Sequence, residues 1–480
     1  MKVAFHTLGC KVNQYETEAI SEKFREKGYQ VVDEREFADV YIINTCTVTS
    51  VADKKSRQYI RKMKKLNPDS VVAVTGCYAQ IKPDEVSAVE GVDIVAGTNE
   101  KSRLTEYVEE FMQEGQRQIH IKGYEELDAY DDMGTITNTE NRTRAYIKIQ
   151  EGCNRFCTYC VIPYARGRVR SRPLGDIVSE AKQLVDAGYK EIVLTGINTA
   201  LYDMESDTRA RAGNGADVGC AADEHVDAAA GHAGGPDDGN SNADRQETGQ
   251  LYGVEKIIAV LDEMPGDFRI RLSSLEPAVV NADYVKRLLK YRRLCHHLHL
   301  SAQSGSDSVL RDMNRPYDRE EYMEIVDVLR SFDPLYGLST DIIVGFPGEK
   351  EKDFEESCSL VRECAFCKTH IFKYSKRPFT KAAEMKGHVA PQVKNRRSET
   401  LHQAGKEASL QFFAANSGSE AVVLAEEIYE EKKLITGYTG NYIKAYIKYE
   451  DLQDAERMLN TFVKVRLQEA FEDGMTAELV

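Results

Sequence analysis

The most reactive stretch of this sequence carries three cysteines, Cys153, Cys157 and Cys160, in the spacing C-x3-C-x2-C. A structural zinc ion takes four protein ligands, commonly from two C-x2-C pairs, and an electron-transfer iron–sulfur cluster takes four thiolates. Three thiolates leave one iron of a cluster free to bind a small molecule. The spacing therefore predicts an iron–sulfur cluster that does chemistry, with a structural zinc site as the alternative.

A second set of cysteines follows the ends of three predicted strands. Cys10, Cys46 and Cys77 each come within a few residues of an apolar run that is typical of a buried parallel strand. These runs cover residues 3–7, 40–44 and 71–75. Ligands of an open α/β sheet gather beyond the carboxyl ends of its strands, so the three thiols are predicted to converge on a second metal centre. Three buried thiols are the alternative, because free cysteine is among the most buried residue types.

Length and composition indicate a cytosolic protein of about three domains. The chain has 480 residues, 42% of them apolar, and its first residues lack the long apolar stretch of a signal peptide. No window resembles a membrane-spanning run, so no membrane partner is expected. In a reducing compartment the eleven cysteines are ligands or buried thiols rather than disulfides.

The net charge of −15 is unevenly spread. Residues 203–250 hold eleven acidic and three basic side chains, and residues 413–480 hold thirteen and seven. The rest of the chain is close to neutral, so the overall charge does not exclude a nucleic-acid partner.

Six further strand candidates alternate with helical patterns and predict a partial (β/α)6 barrel within an α/β fold. The strands are 145–150, 191–195, 268–273, 297–301, 339–344 and 369–374, and the clearest helices are 175–187 and 351–364. The cysteine loop at 153–160 follows the first of these strands directly. Active sites of such barrels lie at the carboxyl ends of the strands, so the chemistry is predicted there.

These patterns divide the chain into an N-terminal open parallel α/β domain at 1–123, a linker at 124–142, the partial barrel at 143–412 and a small antiparallel β-barrel at 413–480. Within the barrel, residues 203–250 are poor in large apolar side chains, which predicts a disordered insert. The last region has β-type runs at 421–425, 442–449, 462–469 and 475–480, with a predicted turn at 437–440. An oligonucleotide-binding type of barrel fits, with Tyr438, Tyr442 and Lys444 as candidate RNA contacts.

With these motifs in hand, the chain resembles the radical S-adenosylmethionine (SAM) methylthiotransferases. The resemblance runs from Lys2 to Val480, except for the insert. It rests on the cysteine loop and on motifs at 8–16, 44–49, 75–77, 162–172, 303–306 and 345–349. The family implies that the C-terminal barrel is a TRAM domain. Lys11-Val12-Asn13 and Cys46-Thr47-Val48-Thr49 look most like the branch that acts on N6-threonylcarbamoyladenosine next to the tRNA anticodon.

The resemblance implies two 4Fe–4S clusters and SAM as cofactors. The cluster on Cys153, Cys157 and Cys160 would generate a 5′-deoxyadenosyl radical, because the C–H bond at adenine C2 offers no acid for a base to remove. The cluster on the other three cysteines would supply sulfur, accept a methyl group from a second SAM and deliver the methylthio group. Implied partners are tRNA, a sulfur donor and an electron donor of the flavodoxin or ferredoxin type.

SAM also needs contacts from barrel strand ends. Candidate residues share a predicted rim although each alone is an ordinary turn former. They are Thr195, Gly196, Asn198, Ser273, Glu276, Gln303, Ser304 and Asp341. For His297 and His299, and for the pair Cys364 and Cys367, packing is favoured over ligation.

Four arginines recur at every second residue, which would place them on one face of an extended segment. They are Arg166, Arg168, Arg170 and Arg172. Such a row suits tRNA phosphates, with a solvated edge as the alternative. Two segments depart from the family pattern, because no glycine precedes Thr380 and Pro316 replaces a second basic residue; both bear on substrate affinity.

Two other functions remain open at this point. One keeps the chemistry but acts on isopentenyladenosine in tRNA or on an aspartate of a ribosomal protein. The other is an RNA-binding iron–sulfur protein that senses redox state, against which the complete set of SAM-site candidates argues.

Overall fold

The computed structural model describes residues 1–127, 129–134, 136, 143–205 and 250–480. Most of the predicted insert, residues 206–249, lies outside the described residues, as do several positions of the predicted linker. Within the described chain, no helix is long and apolar enough to cross a membrane.

The N-terminal part is a six-stranded parallel sheet in the order β2-β1-β3-β4-β5-β6. Its strands are β1 (Lys2–Thr7), β2 (Gln30–Val32), β3 (Val40–Thr45), β4 (Val71–Gly76), β5 (Ile94–Ala96) and β6 (Gln118–His120). The helices beside them are α1 (Lys11–Glu26), α2 (Ser50–Leu66), α3 (Cys77–Ile81), α4 (Pro83–Ser87) and α5 (Leu104–Glu114). The three apolar runs predicted as strands are β1, β3 and β4, which confirms them and puts their carboxyl ends side by side.

The middle of the chain forms the predicted partial barrel, and all six predicted strands are present. They are β7 (Arg144–Glu151), β9 (Glu191–Gly196), β10 (Arg269–Leu272), β12 (His297–Leu300), β13 (Gly337–Val344) and β14 (Lys368–Lys373). The short β8 (Arg170–Ser171) pairs antiparallel with β7. β10 pairs parallel with β9. After β10, the chain continues as β11 (Ser274–Leu275), which pairs parallel with β12.

Helices cover the outside of this barrel. They are α6 (Ile162–Arg166), α7 (Leu174–Asp186), α8 (Glu255–Asp262), α9 (Ala282–Leu288), α10 (Asp307–Asp312), α11 (Arg319–Phe332), α12 (Glu351–Cys364), α13 (Lys381–Glu384) and α14 (Pro391–Asn416). Polar caps begin several of them; Asn281 caps α9, and Asp318 forms a reciprocal capping box with Glu321 on α11. The two helices predicted most clearly, α7 and α12, are confirmed.

The predicted linker is partly packed rather than exposed. Leu127, Met133 and Ile136 are buried, and the last two join the core formed by one face of the N-terminal sheet. Because the linker buries these apolar side chains, moving the two domains apart would expose apolar surface to water. The linker therefore restricts their relative motion.

The C-terminal part is a closed five-stranded barrel in the order β15-β16-β17-β19-β18, as predicted. Its elements are β15 (Glu420–Tyr429), β16 (Leu434–Thr439), β17 (Lys444–Lys448), α15 (Leu452–Met458), β18 (Phe462–Phe471) and β19 (Gly474–Leu479). The turn predicted at 437–440 is wrong, because Gly437 lies inside β16. A Cβ on Gly437 would lie 1.9 Å from the carbonyl oxygen of Leu424, so this glycine allows close strand approach.

Candidate active site

The three barrel cysteines and one cysteine of the N-terminal set line one cavity of about 570 Å³, between the carboxyl ends of the barrel strands and the start of α1. Cys10 lines it from the N-terminal sheet, and Cys153, Cys157 and Cys160 line it from the barrel. A smaller pocket of about 230 Å³ shares Tyr159, Cys160, Gln303 and Asp341 with it. The two sheets therefore face each other across one space large enough for small-molecule ligands.

Backbone contacts hold the cysteine loop at 153–160 in place. Gly152 has φ +72°, and a Cβ there would lie 1.8 Å from the carbonyl oxygen of Arg168, so only glycine fits. The Cys153 amide donates to the carbonyl of Gly167 at 3.1 Å, and the Thr158 amide donates to the carbonyl of Met313 at 3.0 Å. The loop is thus fixed from both sides before any ligand binds.

Two thiols of this loop, those of Cys153 and Cys160, have a raised pKa in the absence of a metal. Burial, followed by the charge of Cys157, raises the pKa of Cys160 to about 12, and the same two causes raise the pKa of Cys153. Such thiols are poor general bases at neutral pH. Metal ligation would release their protons, which is the expected behaviour of cysteine ligands.

The N-terminal cysteines come together at the ends of β1, β3 and β4. Gly9 has φ +114°, and a Cβ on it would lie 3.1 Å from the Sγ of Cys46, so glycine lets the Cys10 loop approach Cys46. Burial, followed by the charge of Cys77, raises the pKa of Cys46 to about 12. The charge of Cys77 also raises the pKa of Cys160, which indicates that the two sets are close to each other.

Neither set has the compact geometry of a single-ion site. Among the described residues, no group of three or more His, Cys, Asp or Glu side chains is close enough to bind one metal ion. Thiolates on one zinc ion lie about 4 Å apart, given Zn–S bonds of about 2.3 Å and tetrahedral angles. Neither cysteine set is therefore arranged as a preformed metal site among the described residues, and this geometry does not separate zinc from a cluster.

Seven of the eight SAM candidates line the main cavity; they are Thr195, Gly196, Asn198, Ser273, Glu276, Gln303 and Asp341. Ser304 does not line it, so that prediction is wrong. Its hydroxyl lies 3.3 Å from the Ser357 hydroxyl and accepts from the Ser306 amide, both away from the cavity. The residue turns outward because Gln303 at φ +64° redirects the chain there.

Glu276 organises the cavity wall through contacts that sequence analysis missed. Its carboxylate pairs with Arg155 Nε at 2.7 Å and Arg315 Nη1 at 3.2 Å, and it accepts from Asn198 Nδ2 at 2.8 Å. Arg315 Nη1 also donates to the Sγ of Cys157 at 3.3 Å. The only feature of the sequence that could have indicated these contacts is Arg315, the basic residue before Pro316. Its partner Glu276 lies 39 positions earlier, so the sequence does not show the pair.

A buried ionic network joins the N-terminal sheet to the barrel. Glu16 on α1 contacts Lys101, Lys148 and Arg166, and Arg166 also contacts Glu151 at 2.8 Å. These five side chains are at most 3% exposed. The cations Arg166 and Lys148 hold the pKa of Glu16 well below its usual range, although burial alone would raise it.

The prediction of a four-arginine phosphate face is wrong for three of its members. Arg166 ends α6 instead of extending and is fully buried. Arg170 donates to the carbonyl of Arg166 at 2.7 Å, and Arg172 pairs with Glu180, both in the interior. Only Arg168 is exposed, with 55% of its side chain accessible. A glycine at 167 and the helical turn at 162–166 break the alternation that the spacing suggested.

The aromatic RNA contacts predicted in the C-terminal barrel lie partly inside the protein. Tyr442 lines the main cavity and stacks on His297 at 4.4 Å, and the Tyr438 ring lies 5.1 Å from the Tyr442 ring. Lys444 is mostly buried and pairs with Asp473 at 3.5 Å. Both tyrosines are half-buried and Tyr442 lines the cavity, so base stacking by these residues stays a prediction.

His297 and His299 line the cavity and form hydrogen bonds, whereas Cys364 and Cys367 pack in apolar cores as predicted. His297 is buried within hydrogen-bond distance of the Ser339 hydroxyl, and burial lowers its pKa well below the usual range. His299 pairs with Asp341 at 3.1 Å on the cavity wall. Cys364 and Cys367 are buried in two different apolar cores, away from both cysteine sets.

Comparison with known families divides the chain as the fold does. Residues 2–97 match the uncharacterized protein family UPF0004, and residues 147–361 match the Radical SAM superfamily. The solved structure of TsrM from Kitasatospora setae, a radical S-adenosylmethionine methyltransferase, covers 80% of this chain and 75% of its own, with a TM-score of 0.54. At 13% identity, this likeness shows the fold alone.

Curated relatives cover the full length. The threonylcarbamoyladenosine tRNA methylthiotransferase MtaB of Bacillus subtilis is 39% identical over 100% of this chain and 97% of its own. The MtaB protein of Thermotoga maritima is 36% identical over 98% and 96%. A tRNA-2-methylthio-N(6)-dimethylallyladenosine synthase of Clostridium botulinum (strain Langeland) is 32% identical over 98% and 95%. Identity of this extent along the whole length shows that the chain belongs to the radical SAM methylthiotransferase family.

Proposed function

We propose that this enzyme adds a methylthio group to C2 of N6-threonylcarbamoyladenosine next to the anticodon of tRNA. The observation that carries the proposal is the cavity lined by Cys10 and by the three barrel cysteines, in a chain 32–39% identical to relatives named for this reaction. The dimethylallyladenosine relatives are 32–34% identical and represent the second candidate substrate.

The residues present fit two iron–sulfur clusters and SAM. Soft thiolates are the usual ligands of such clusters, and each set supplies three. Cys153, Cys157 and Cys160 would hold the cluster that binds SAM, and Cys10, Cys46 and Cys77 would hold the second. One buried cavity atom, Oδ1 of Asn198, accepts no hydrogen bond from the described residues, which suits a ligand with an N–H or O–H donor.

When bound, the clusters and SAM supply the radical and sulfur chemistry that amino acid side chains lack. The protein's own contribution is to bind and orient. Arg155 and Arg315 fix the Glu276 carboxylate, and Asn198 is fixed by the same carboxylate. His299 and the Ser301 hydroxyl, which donates at 2.9 Å, hold Asp341 on the wall. Groups locked in this way lose little entropy when a ligand binds, so they support precise positioning.

Exclusion of water is the second contribution of the protein. Tyr442 closes the end of the cavity that faces the C-terminal barrel, where Arg271 bonds the backbone carbonyls of Thr439 and Gly440. A reactive intermediate is protected when its surroundings are dry, because side reactions with water are avoided.

A surface next to the cysteine loop is suited to hold tRNA. Tyr124, Phe156, Tyr164 and Phe379 form a row with successive ring centroids 6.5, 5.8 and 6.0 Å apart. The Arg168 guanidinium lies 5.7 Å from the Tyr124 ring. Aromatic rings beside an exposed cation are the usual platform for unpaired bases and their phosphates, such as those of an anticodon loop. A sulfur donor and an electron donor of the flavodoxin or ferredoxin type complete the proposed partners.

The test is anaerobic incubation of reconstituted protein with SAM, a reductant, a sulfide source and one of two tRNAs, carrying threonylcarbamoyl or dimethylallyl adenosine. Mass spectrometry of the nucleosides should show the methylthio product from the threonylcarbamoyl tRNA. Cys157→Ala is the matched control and should give none. Product from the dimethylallyl tRNA alone would transfer the assignment to the second substrate.

A further inference from the structure

Four cationic side chains line the main cavity, and three of them form ion pairs with carboxylates of the protein. Arg155 and Arg315 share the Glu276 carboxylate, and Arg271 pairs with Glu191 at 2.8 Å. Lys11 differs. No hydrogen bond or ion pair is found for it among the residues that the structure describes.

Lys11 is exposed, and the charges around it are of both signs: Arg271 and Arg144 are positive, and Glu191 and Asp341 are negative. It is the first residue of α1, whose first turn holds no acidic side chain and whose N-cap Cys10 makes no side-chain cap. The amino end of a 16-residue helix carries partial positive charge. The nearest carboxylate on the cavity wall, Asp341, is already taken by His299 and Ser301.

A cation on the cavity wall that makes no ion pair favours a ligand with a matching anion. The two groups of relatives act, by their names, on adenosines that differ in this respect. A threonylcarbamoyl group ends in a free carboxylate, whereas a dimethylallyl group is an uncharged hydrocarbon.

Resting on the proposed function, we infer that Lys11 binds the carboxylate of the threonylcarbamoyl group and so selects this nucleoside over the dimethylallyl one. An ammonium–carboxylate contact in a partly closed cavity is a charge-assisted hydrogen bond. A phosphate of the same RNA offers the same anionic chemistry, so the test separates the two sources.

The experiment measures binding of anticodon stem-loop RNAs to anaerobically reconstituted protein. One RNA carries threonylcarbamoyl adenosine, and the second carries the same group with its carboxylate converted to a carboxamide. The wild-type protein should bind the carboxamide RNA about ten- to a hundredfold more weakly. The Lys11→Gln variant should bind the carboxylate RNA that weakly too, with no further loss on the carboxamide RNA.

Two other variants complete the set. Lys11→Arg keeps the charge and should retain most of the preference for the carboxylate RNA. Lys352→Gln, a lysine with 85% of its side chain exposed on α12, should behave as wild type. Iron content and the visible absorption spectrum must match wild type in each variant, because Lys11 follows Cys10 directly.

Three other outcomes would contradict the role of Lys11 or the proposed function. Equal weakening of both RNAs by Lys11→Gln, with a salt slope lower by about one, would assign Lys11 to a phosphate and overturn the carboxylate contact. A wild-type protein that fails to distinguish threonylcarbamoyl from unmodified RNA would contradict the proposed function itself. Wild-type discrimination that survives in Lys11→Gln would overturn only the role of Lys11.

Discussion

Arg166 donates its Nε–H to the Sγ of Cys77 across 3.2 Å, and this contact joins the barrel to the N-terminal cysteine set. The buried network around Arg166 holds three cations and two carboxylates. One positive charge is therefore in excess, and a thiolate at Cys77 would neutralise it. Burial raises the pKa of Cys77, whereas Arg166 and Lys101 lower it. The network thus favours the form of Cys77 that binds a metal.

The first prediction is that Arg166→Gln destabilises the protein and weakens iron binding at the N-terminal cysteines. Arg166→Gln removes the charge-assisted hydrogen bonds that Arg166 donates to the buried carboxylates of Glu16 and Glu151, which costs about 3–5 kcal/mol. Chemical denaturation measures the loss of stability. Iron analysis after anaerobic reconstitution should show loss at the N-terminal set while the barrel set keeps its iron.

Two comparisons separate the charge from the contact. Arg166→Lys keeps the cation but not the planar donor at Cys77, so its iron content should be intermediate. In a protein that already lacks Cys10, Cys46 and Cys77, Arg166→Gln should leave the iron content unchanged. A further drop in that background would mean that Arg166 acts through the fold rather than through Cys77.

The strands could be predicted from the sequence because their apolar runs are local. All nine strands predicted for the first two domains exist, and Cys10 and the three barrel cysteines line one cavity. The prediction from the alternating arginines failed because the same spacing occurs in an extended segment and in a helical turn that ends at a glycine. Gly167 ends α6 at φ +73°, which turns Arg166 inward and leaves Arg168 outside.

The buried ionic network around Arg166 could not be predicted because its members are distant in sequence. Glu16 and Arg166 are 150 positions apart, and nothing in either segment indicates the other. Tyr442 was predicted to contact RNA because an aromatic residue beside a turn can either stack on a base or pack against another side chain. The sequence alone does not show which side chain lies against it. Its neighbour is His297, which comes from a different domain.

The second prediction concerns the two cysteine sets. Replacing Cys153, Cys157 and Cys160 by Ala should remove about half of the reconstituted iron, and replacing the N-terminal three should remove the other half, because thiolates are the usual cluster ligands. Iron and sulfide analysis of the two triple variants measures this. Unchanged iron in the N-terminal triple variant would exclude a second cluster.

The third prediction distinguishes packing from RNA binding at Tyr442. Tyr442→Ala removes the ring that stacks on His297 and lies 5.0 Å from the Arg271 guanidinium, so stability should fall by about 3–5 kcal/mol. Affinity for tRNA should stay within about twofold wherever the variant remains folded. Calorimetry and filter binding measure the two effects, and Tyr449→Ala in the same barrel is the control. A large loss of tRNA affinity without loss of stability would support the RNA role.

The fourth prediction concerns the exposed surface beside the cysteine loop. Arg168→Gln should weaken tRNA binding and lower its salt slope by about one, since each phosphate contact releases about one counterion. Phe379→Ala should weaken binding without changing that slope, because its ring, 65% exposed, would stack on bases. Arg457→Gln, in an arginine with 76% of its side chain exposed on α15, is the matched control. An unaltered slope for Arg168→Gln would leave the surface unassigned.

The last prediction is a pH dependence of stability that Glu151 contributes. Burial alone would raise the pKa of this carboxyl, but Arg166 and Lys148 lower it to about 2. In the unfolded chain a glutamate has a pKa of about 4.3. Because the folded pKa is the lower one, the stabilisation is fully present above about pH 4.3 and is lost as the pH falls toward 2.

Glu151→Gln should therefore flatten the pH dependence of the apoprotein between pH 4 and pH 2.5, in addition to lowering its stability. The slope of the unfolding free energy should decrease by up to about 1.4 kcal/mol per pH unit, the value for one proton. Denaturant titrations at a series of pH values measure it. Glu125→Gln, with 80% of the native side chain exposed, should leave the slope unchanged. Equal slopes for wild type and Glu151→Gln would show that the buried network does not hold this carboxylate ionised.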